Sequence, residues 1–236
     1  MIGAGRARLL IFAKYPRAGD VKTRLAPPLA PEEAARLYGA FLLDALDAYR
    51  ALDPAIEPVL YVANFDDIEP MRQFAGDGID IRAQRGATLG ERLHAAFTEA
   101  HDDGAVAACA IGTDHPTLPA EYILEGIGAL RDDEMAIGPA DDGGYYLLAL
   151  RGPREELFRD MPYSTPELFE ATLAMARRIG MRTHLLPVWY DVDDRDSLLR
   201  LDGDRSLLAE GSRTGLMLDL LAGVMAELRG ISEGGA

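Results

Sequence analysis

ARLLIFAKYPRAGDVKTRL, residues 7–25, begins as an apolar run and ends as a basic loop. Residues 7–12 are short and apolar, as a buried first β-strand would be. Lys14, Arg17, Lys22 and Arg24 then fall within eleven positions of a chain whose formal net charge is −15. A basic loop containing Gly and Pro, leaving the first strand of an acidic chain, predicts a pocket for a polyanion such as a nucleotide diphosphate. Arginine offers forked donors that match phosphate oxygens, and lysine offers a compact charge. A solvated loop that happens to be basic is the plainer reading. The loop's position after a strand and the acidic clusters further along weigh against it.

Outward from this stretch, strand-like and helical segments alternate to the end of the chain. That is the pattern of an α/β fold, a mainly parallel sheet flanked by helices. Pro31-Glu32-Glu33 opens a helix to about residue 50, with proline in the first turn and carboxylates at the positive helix end. Strands are expected at 58–63, 79–83, 106–111, 135–139, 145–150 and about 183–187. Helices are expected from 88 or 90 to 101, at 119–130, at 165–180, from about 195, and at 216–228. The last is apolar enough to cover the sheet or to pair with a second subunit in a homodimer. No repeat, low-complexity tract or linker interrupts the pattern. One domain over residues 1–230 is therefore expected, with 231–236 a frayed tail.

Composition narrows the function. Of 236 residues 48% are hydrophobic and 27% charged, enough for a substantial core. The 39 acidic against 24 basic residues exclude a broad nucleic-acid-binding face. A single cysteine, Cys109, excludes an intrachain disulfide and a cysteine zinc site, and its apolar surroundings predict burial. No stretch approaches the roughly 20 apolar residues of a membrane helix. The N-terminus has no signal-peptide layout, so a cytoplasmic protein is expected. His94, His101, His115 and His184 show no metal-ligand spacing, although His115 neighbours Asp114. Neither a GxSxG elbow nor a GxxxxGK[ST] loop is present. Gly3-Ala4-Gly5 precedes the first strand, which is the wrong order for a dinucleotide fingerprint.

Three acidic clusters stand at predicted strand ends, where open α/β sheets bind ligands. Asp114, in Gly-Thr-Asp-His-Pro, follows a strand too apolar to be exposed and can hold Mg²⁺ or Mn²⁺; it can equally serve only as a turn former. Asp141-Asp142-Gly143-Gly144-Tyr145-Tyr146 combines carboxylates, permissive glycines and flat rings, or marks a simple Asp-Gly hairpin. In Asp191-Val192-Asp193 alternation puts both carboxylates on one side, suited to a cation; alternatively Asp193 or Asp194 caps the helix that follows. Cations for phosphates and carboxylates for a divalent metal together suit chemistry at a nucleotide's phosphates.

Five ordered blocks between residues 7 and 202 resemble the bacterial DUF2064 family, a glycosyltransferase-A-like group. They are FAKYPRAGDVKTRLAPPL (12–29), QRGATLGERLHAAF (84–97), IGTDHPTLP (111–119), GPADDGGYYLLAL (138–150), and the pair YSTPELFEATL and WYDVDDRDSL. His115 stands where many members carry cysteine, which argues against an essential thiol. The resemblance implies the nucleotide-diphospho-sugar transferase fold, a mixed, mainly parallel sheet between helices. The wider superfamily includes nucleotidyltransferases whose N-terminal loop is similar to Lys14–Leu25. By that analogy Lys22 and Arg24 contact phosphates, and Asp114 and Asp193 hold Mg²⁺ or Mn²⁺. The nucleotide pocket would comprise Phe12, Ala13, Lys14, Arg17, Lys22, Arg24, Gln84, Gly90, Arg92 and Thr113. Gly143, Gly144 and Tyr145 would shape the substrate side, with Lys22, Arg24 and Asp142 catalytic. The leading expectation is a metal-dependent transferase using a nucleotide-diphosphate sugar and a small-molecule acceptor. Nucleotidyl transfer from a triphosphate to a phosphorylated or phosphonate acid is the alternative, and a non-catalytic nucleotide-binding protein is the third.

Overall fold

In a computed structural model describing residues 5–233, the opening apolar run is β1, Ala7–Ala13, in the middle of a seven-stranded sheet. It pairs in parallel with β2 (Ile56–Val62) on one side and β4 (Ala107–Ile111) on the other. A central parallel strand is covered on both faces, which is why its sequence is apolar without alternation. Leu9 and Ile11 pack beneath one layer, while Leu10 joins Leu93, Phe97 and Leu173 beneath the other. Beyond β2 lies β3 (Asp80–Ala83). On the opposite flank follow β6 (Tyr145–Leu150), β5 (Met135–Pro139) and β7 (Thr183–Leu185), giving the order β3-β2-β1-β4-β6-β5-β7. Only β6 runs antiparallel to its neighbours. The expected mixed, mainly parallel α/β sheet is thus borne out.

The helices are α1 (Pro31–Arg50), α2 (Ile68–Ala75), α3 (Leu89–Asp102), α4 (Ala120–Ala129), α5 (Leu168–Arg178), α6 (Arg195–Gly203), α7 (Arg213–Leu220) and α8 (Ala222–Glu233). Most match the sequence pattern to within a few residues. α2 has no counterpart there: eight residues are too few for a clear period, and only Met71 and Ala75 are buried. The single helix expected at 216–228 is instead two. The break at Leu221 lets Leu218, Leu221, Met225 and Leu228 reach one cluster with Phe41, Leu198 and Leu201. This pair packs on α1 and α6 rather than on the sheet, and Leu216 and Leu220 remain exposed. The backbone of α8 runs on to Glu233; the rest of the tail expected to fray, 234–236, and residues 1–4 lie outside the described residues. No described helix is long and apolar enough to cross a membrane.

Asp202 ties this corner together. Its carboxylate is buried and accepts hydrogen bonds from Arg205 at 2.7 Å and from Arg229 of α8 at 3.0 Å. Burial alone would raise its pKa, but the two guanidinium groups outweigh that and hold it below the usual aspartate range. A lowered folded-state pKa means that this stabilisation is present above the ordinary aspartate pKa and fades as pH falls through the lowered value. Asp202→Asn should therefore cost about 1–3 kcal/mol at neutral pH. The deficit should shrink in acid, as thermal melts at pH 7 and below pH 4 would show.

Candidate active site

The order of strands reverses between β1 and β4: β1 continues outward through β2 and β3, and β4 begins the other flank. In such sheets a crevice opens at the carboxyl ends of the two strands. Residues 14–25 leave β1 there and residues 112–118 leave β4. The second half of the basic loop is anchored by Val21 against Ala35 and Tyr38, and by Leu25 in the cluster around Phe41. Between the anchors Lys22 is left-handed, φ 48° and ψ 38°, a conformation non-glycine residues adopt rarely and only where the surroundings impose it.

That twist turns the Lys22 side chain inward until it is only 3% exposed. Its Nζ lies 2.5 Å from an Asp114 oxygen and donates a hydrogen bond of 2.8 Å to Asp193. The Asp114 contact is off the hydrogen-bond angle, so that buried Oδ1 has charge contact but no hydrogen bond. The rings of Tyr38 and Phe41 each stand 5.8 Å from the ammonium. Burial pulls the lysine pKa down, but the charges of Asp114 and Asp193 more than reverse this and hold it above the ordinary value.

Asp193 reaches this point through backbone pairing: the N–H of Val192 donates to the Asp114 carbonyl at 2.8 Å, and Val192 is fully buried. Asp194 takes the helix cap, accepting from Ser197 N–H at 2.9 Å, and so leaves Asp193 for the cleft. Asp191 meets Nδ1 of buried His115 at 3.3 Å; the other ring nitrogen of His115 is buried without a partner.

The crevice is a cleft of about 450 Å³ that brings together Phe12, Ala13, Lys14, Lys22, Gln84, Arg92, Asp114 and Asp193. The Gln84 amide is pinned to the Tyr61 carbonyl at 3.0 Å, and Arg92 Nε donates to the Gly86 carbonyl at 3.0 Å. Thr113 lies buried behind, its hydroxyl 3.4 Å from that of Tyr38. Four residues expected in the nucleotide pocket do not line this cleft: Thr113, Arg24, Arg17 and Gly90. Arg17 turns away to Asp67, 2.7 Å from its guanidinium. Gly90 sits on the far side of α3, where a Cβ would come within 2.3 Å of the Phe158 carbonyl oxygen.

Arg24 and Asp142 line a neighbouring pocket of about 310 Å³ with Asp141, Asp191, Asp193, Asp194, Asp196 and Arg200. Asp193 is common to both cavities. The Asp-Gly hairpin is real: Gly144 N–H donates to Asp142 Oδ1 at 2.8 Å, and Gly143 has φ +89°. Gly143 and Gly144 line none of these hollows, whereas Tyr145 borders a third, apolar one of about 170 Å³ with Phe12, Leu89 and Tyr146. Burial pushes the Tyr145 phenol well up from its ordinary pKa.

Tyr38 escaped the sequence reading. Its hydroxyl accepts from the Lys14 N–H at 3.0 Å, and burial together with the Asp114 charge pushes its pKa up to about 12. The available signal was a tyrosine on the apolar face of α1, since a buried phenol needs a polar partner.

The donor set can be tested for a divalent cation. Two aspartate oxygens already converge on one cation, and Mg²⁺ is commonly held by one or two carboxylates with water and phosphate oxygens. Among the described residues no three His, Cys, Asp or Glu side chains form a metal-ligand group, so further ligands would have to come with the substrate. On that condition the pair fits Mg²⁺ or Mn²⁺.

The fold is similar to that of a candidate nucleotide-diphospho-sugar transferase from Desulfovibrio desulfuricans G20. The two are 29% identical with a TM-score of 0.90, over 95% of this chain and 98% of that one. It is more distantly similar to 4-diphosphocytidyl-2C-methyl-D-erythritol synthase from Anaerococcus prevotii DSM 20548, at 13% identity and a TM-score of 0.54, over 87% of this chain and 98% of that one. The second likeness is one of fold alone. No curated protein matches the sequence. A profile of DUF2064, described as "Uncharacterized protein conserved in bacteria", matches residues 46–165, and the chain belongs to that family.

Proposed function

We propose that this protein transfers a glycosyl group from a nucleoside-diphosphate sugar to a hydroxyl-bearing acceptor, with Mg²⁺ or Mn²⁺ at Asp114 and Asp193. The observation carrying this reading is that Asp193 lines both a cation-bearing cleft and an adjoining acid-lined pocket. Lys14, Lys22 and Arg92 suit a diphosphate in the cleft, and Arg24 lines the adjoining pocket. When bound, the metal supplies positive charge to the departing diphosphate. Asp142 is the candidate base. The acceptor oxygen bonds to the anomeric carbon, the bond from that carbon to the β-phosphate oxygen breaks, the acceptor proton passes to the carboxylate, and the nucleoside diphosphate leaves. Gly143 and Gly144 form the turn that presents Asp142, and Tyr145 contributes an apolar wall. Six aspartates against Arg24 and Arg200 make the second pocket a poor host for a phosphate or phosphonate acceptor.

Nucleotidyl transfer from a triphosphate is the second reading, favoured by the number of cations, Lys14, Lys22 and Arg92, around one cleft. Thermal stabilisation in Mn²⁺ or Mg²⁺ separates the two. A ligand at about 100 times its Kd adds ~2.7 kcal/mol. Selective stabilisation by a UDP- or GDP-sugar is the expected result. Selective stabilisation by one of ATP, GTP, CTP or UTP would overturn glycosyl transfer. Binding without turnover against a panel of hydroxyl acceptors would leave only a nucleotide-binding protein.

A further inference from the structure

The Lys22 ammonium occupies the point on which one oxygen of Asp114 and one of Asp193 converge, and a divalent cation bridging those two oxygens competes with it for that point. At the ~2.0–2.1 Å bond length of Mg²⁺, a cation seated between the two oxygens that face the ammonium at 2.5 and 2.8 Å would fall on the ammonium's own position. Two cations in one poorly solvated site also repel each other. We infer that Lys22 is a resident stand-in cation, which the metal must displace and which then turns to the nucleotide's phosphates. The inference rests on the metal-dependent reading above and adds the order of events within that site.

Three features separate this arrangement from a permanent structural ion pair. The ammonium is 3% exposed, yet the carboxylates that hold it are 37% and 45% exposed. Asp114 Oδ1 is itself buried, so a second cation reaches the pair from the cleft through the exposed remainder of each carboxylate. Asp114 Oδ1 is buried with no hydrogen-bond partner within angle, so an arriving metal meets an acceptor that only the ion pair with Lys22 occupies. The loop backbone, held by Val21 and Leu25, need not move. A four-carbon stem can swing the charge, and the cleft of about 450 Å³ beside it is where phosphates would lie.

One cation exchanging for another couples the two ligands. Metal alone must expel a buried ammonium into a cleft where Asp20, already paired with Arg17, is the lining carboxylate outside the pair, whereas metal arriving with a polyphosphate gives the ammonium a new anionic partner. Linkage makes the coupling reciprocal: whatever factor the nucleotide adds to metal affinity, the metal adds to nucleotide affinity.

The test is Mn²⁺ titrated into nucleotide-free protein, followed by calorimetry or by the electron paramagnetic resonance of the free ion, and repeated with UDP or GDP present. Wild type should bind Mn²⁺ weakly alone and at least about tenfold more tightly with the nucleotide. Lys22→Met, with no cation to expel, should bind Mn²⁺ alone at least about tenfold more tightly than wild type. It should also lose most of the gain that the nucleotide brings. Adding Asp193→Asn to that variant should remove the enhanced Mn²⁺ binding. Equal Mn²⁺ affinity in folded Lys22→Met and wild type would overturn the inference. So would a wild type whose Mn²⁺ affinity is indifferent to a nucleotide that does bind, a comparison that stands even if Lys22→Met fails to fold. If neither nucleotides nor nucleotide sugars bind at all, the proposed transferase fails, while the Mn²⁺ gain in Lys22→Met remains a separate outcome.

Discussion

Asp114→Ala should fold and lose metal-dependent nucleotide binding by at least about a hundredfold, or ~2.7 kcal/mol. Asp114 stands three residues beyond the end of β4, at the switch point, and its backbone carbonyl is already engaged by Val192 N–H. The substitution leaves that backbone bond in place and removes only the carboxylate. Lys22 keeps its hydrogen bond to Asp193 at 2.8 Å, so the buried ammonium is not left alone. The stability cost should be about 1–3 kcal/mol, the range for a contact to a charged group. Asp114→Asn preserves shape and should lose binding nearly as far, because an amide is a poor ligand for a hard divalent cation. Calorimetry with Mn²⁺ and UDP or GDP measures the loss directly. A folded Asp114→Ala protein that binds both as wild type does would remove Asp114 from the metal site.

Gly143→Ala should destabilise the protein by about 2–5 kcal/mol through two separable effects. The residue has φ +89°, and a left-handed conformation costs an L-residue roughly 1–2 kcal/mol. A Cβ there would also lie 2.1 Å from the Pro166 carbonyl oxygen and 2.6 Å from its Cα. Neither neighbour is a flexible side-chain end, and overpacking of this kind adds roughly 1–3 kcal/mol. The position is further tied by Phe169 N–H, which donates to the Gly143 carbonyl at 2.9 Å where α5 begins. For a chain of this size each kcal/mol lowers Tm by roughly 2–4 °C, so the expected fall is roughly 4–20 °C. Gly180→Ala is the control: φ is +75° with nothing within 4 Å of the new methyl, so only the conformational cost should appear. A Gly143→Ala protein as stable as wild type but weakened in acceptor binding would make Gly143 a substrate contact instead.

The glycines show how local pattern and tertiary cause separate. Gly143 was legible in the sequence as part of an Asp-Gly turn, and a turn is what β5 and β6 enclose. Gly90, read as a nucleotide contact because its block resembles a family motif, lies against Phe158 and Tyr163, on the far side of α3 from Arg92 in the cleft. Nothing within its own neighbourhood of sequence could show this, because its packing partners lie some 70 residues away. Arg17 is similar: a basic residue in a basic loop, paired with Asp67 across 50 positions. The C-terminal helix was readable as apolar and helical, but its division at Leu221 follows from the need to reach a cluster assembled by α1 and α6.

By itself the sequence determined the α/β class, most of the strands and helices, and the chemistry gathered at the strand ends. Each of these is a local property, set by periodicity, turn residues and the charges within a short window. Only the tertiary structure decided which charges meet. Lys22 and Asp193 stand 171 positions apart, and their contact depends on a left-handed turn held by Val21 and Leu25 and on Val192 pairing with the end of β4. Ion pairing over such a separation is fixed by where packing places the backbone, and no short stretch of the sequence contains that information.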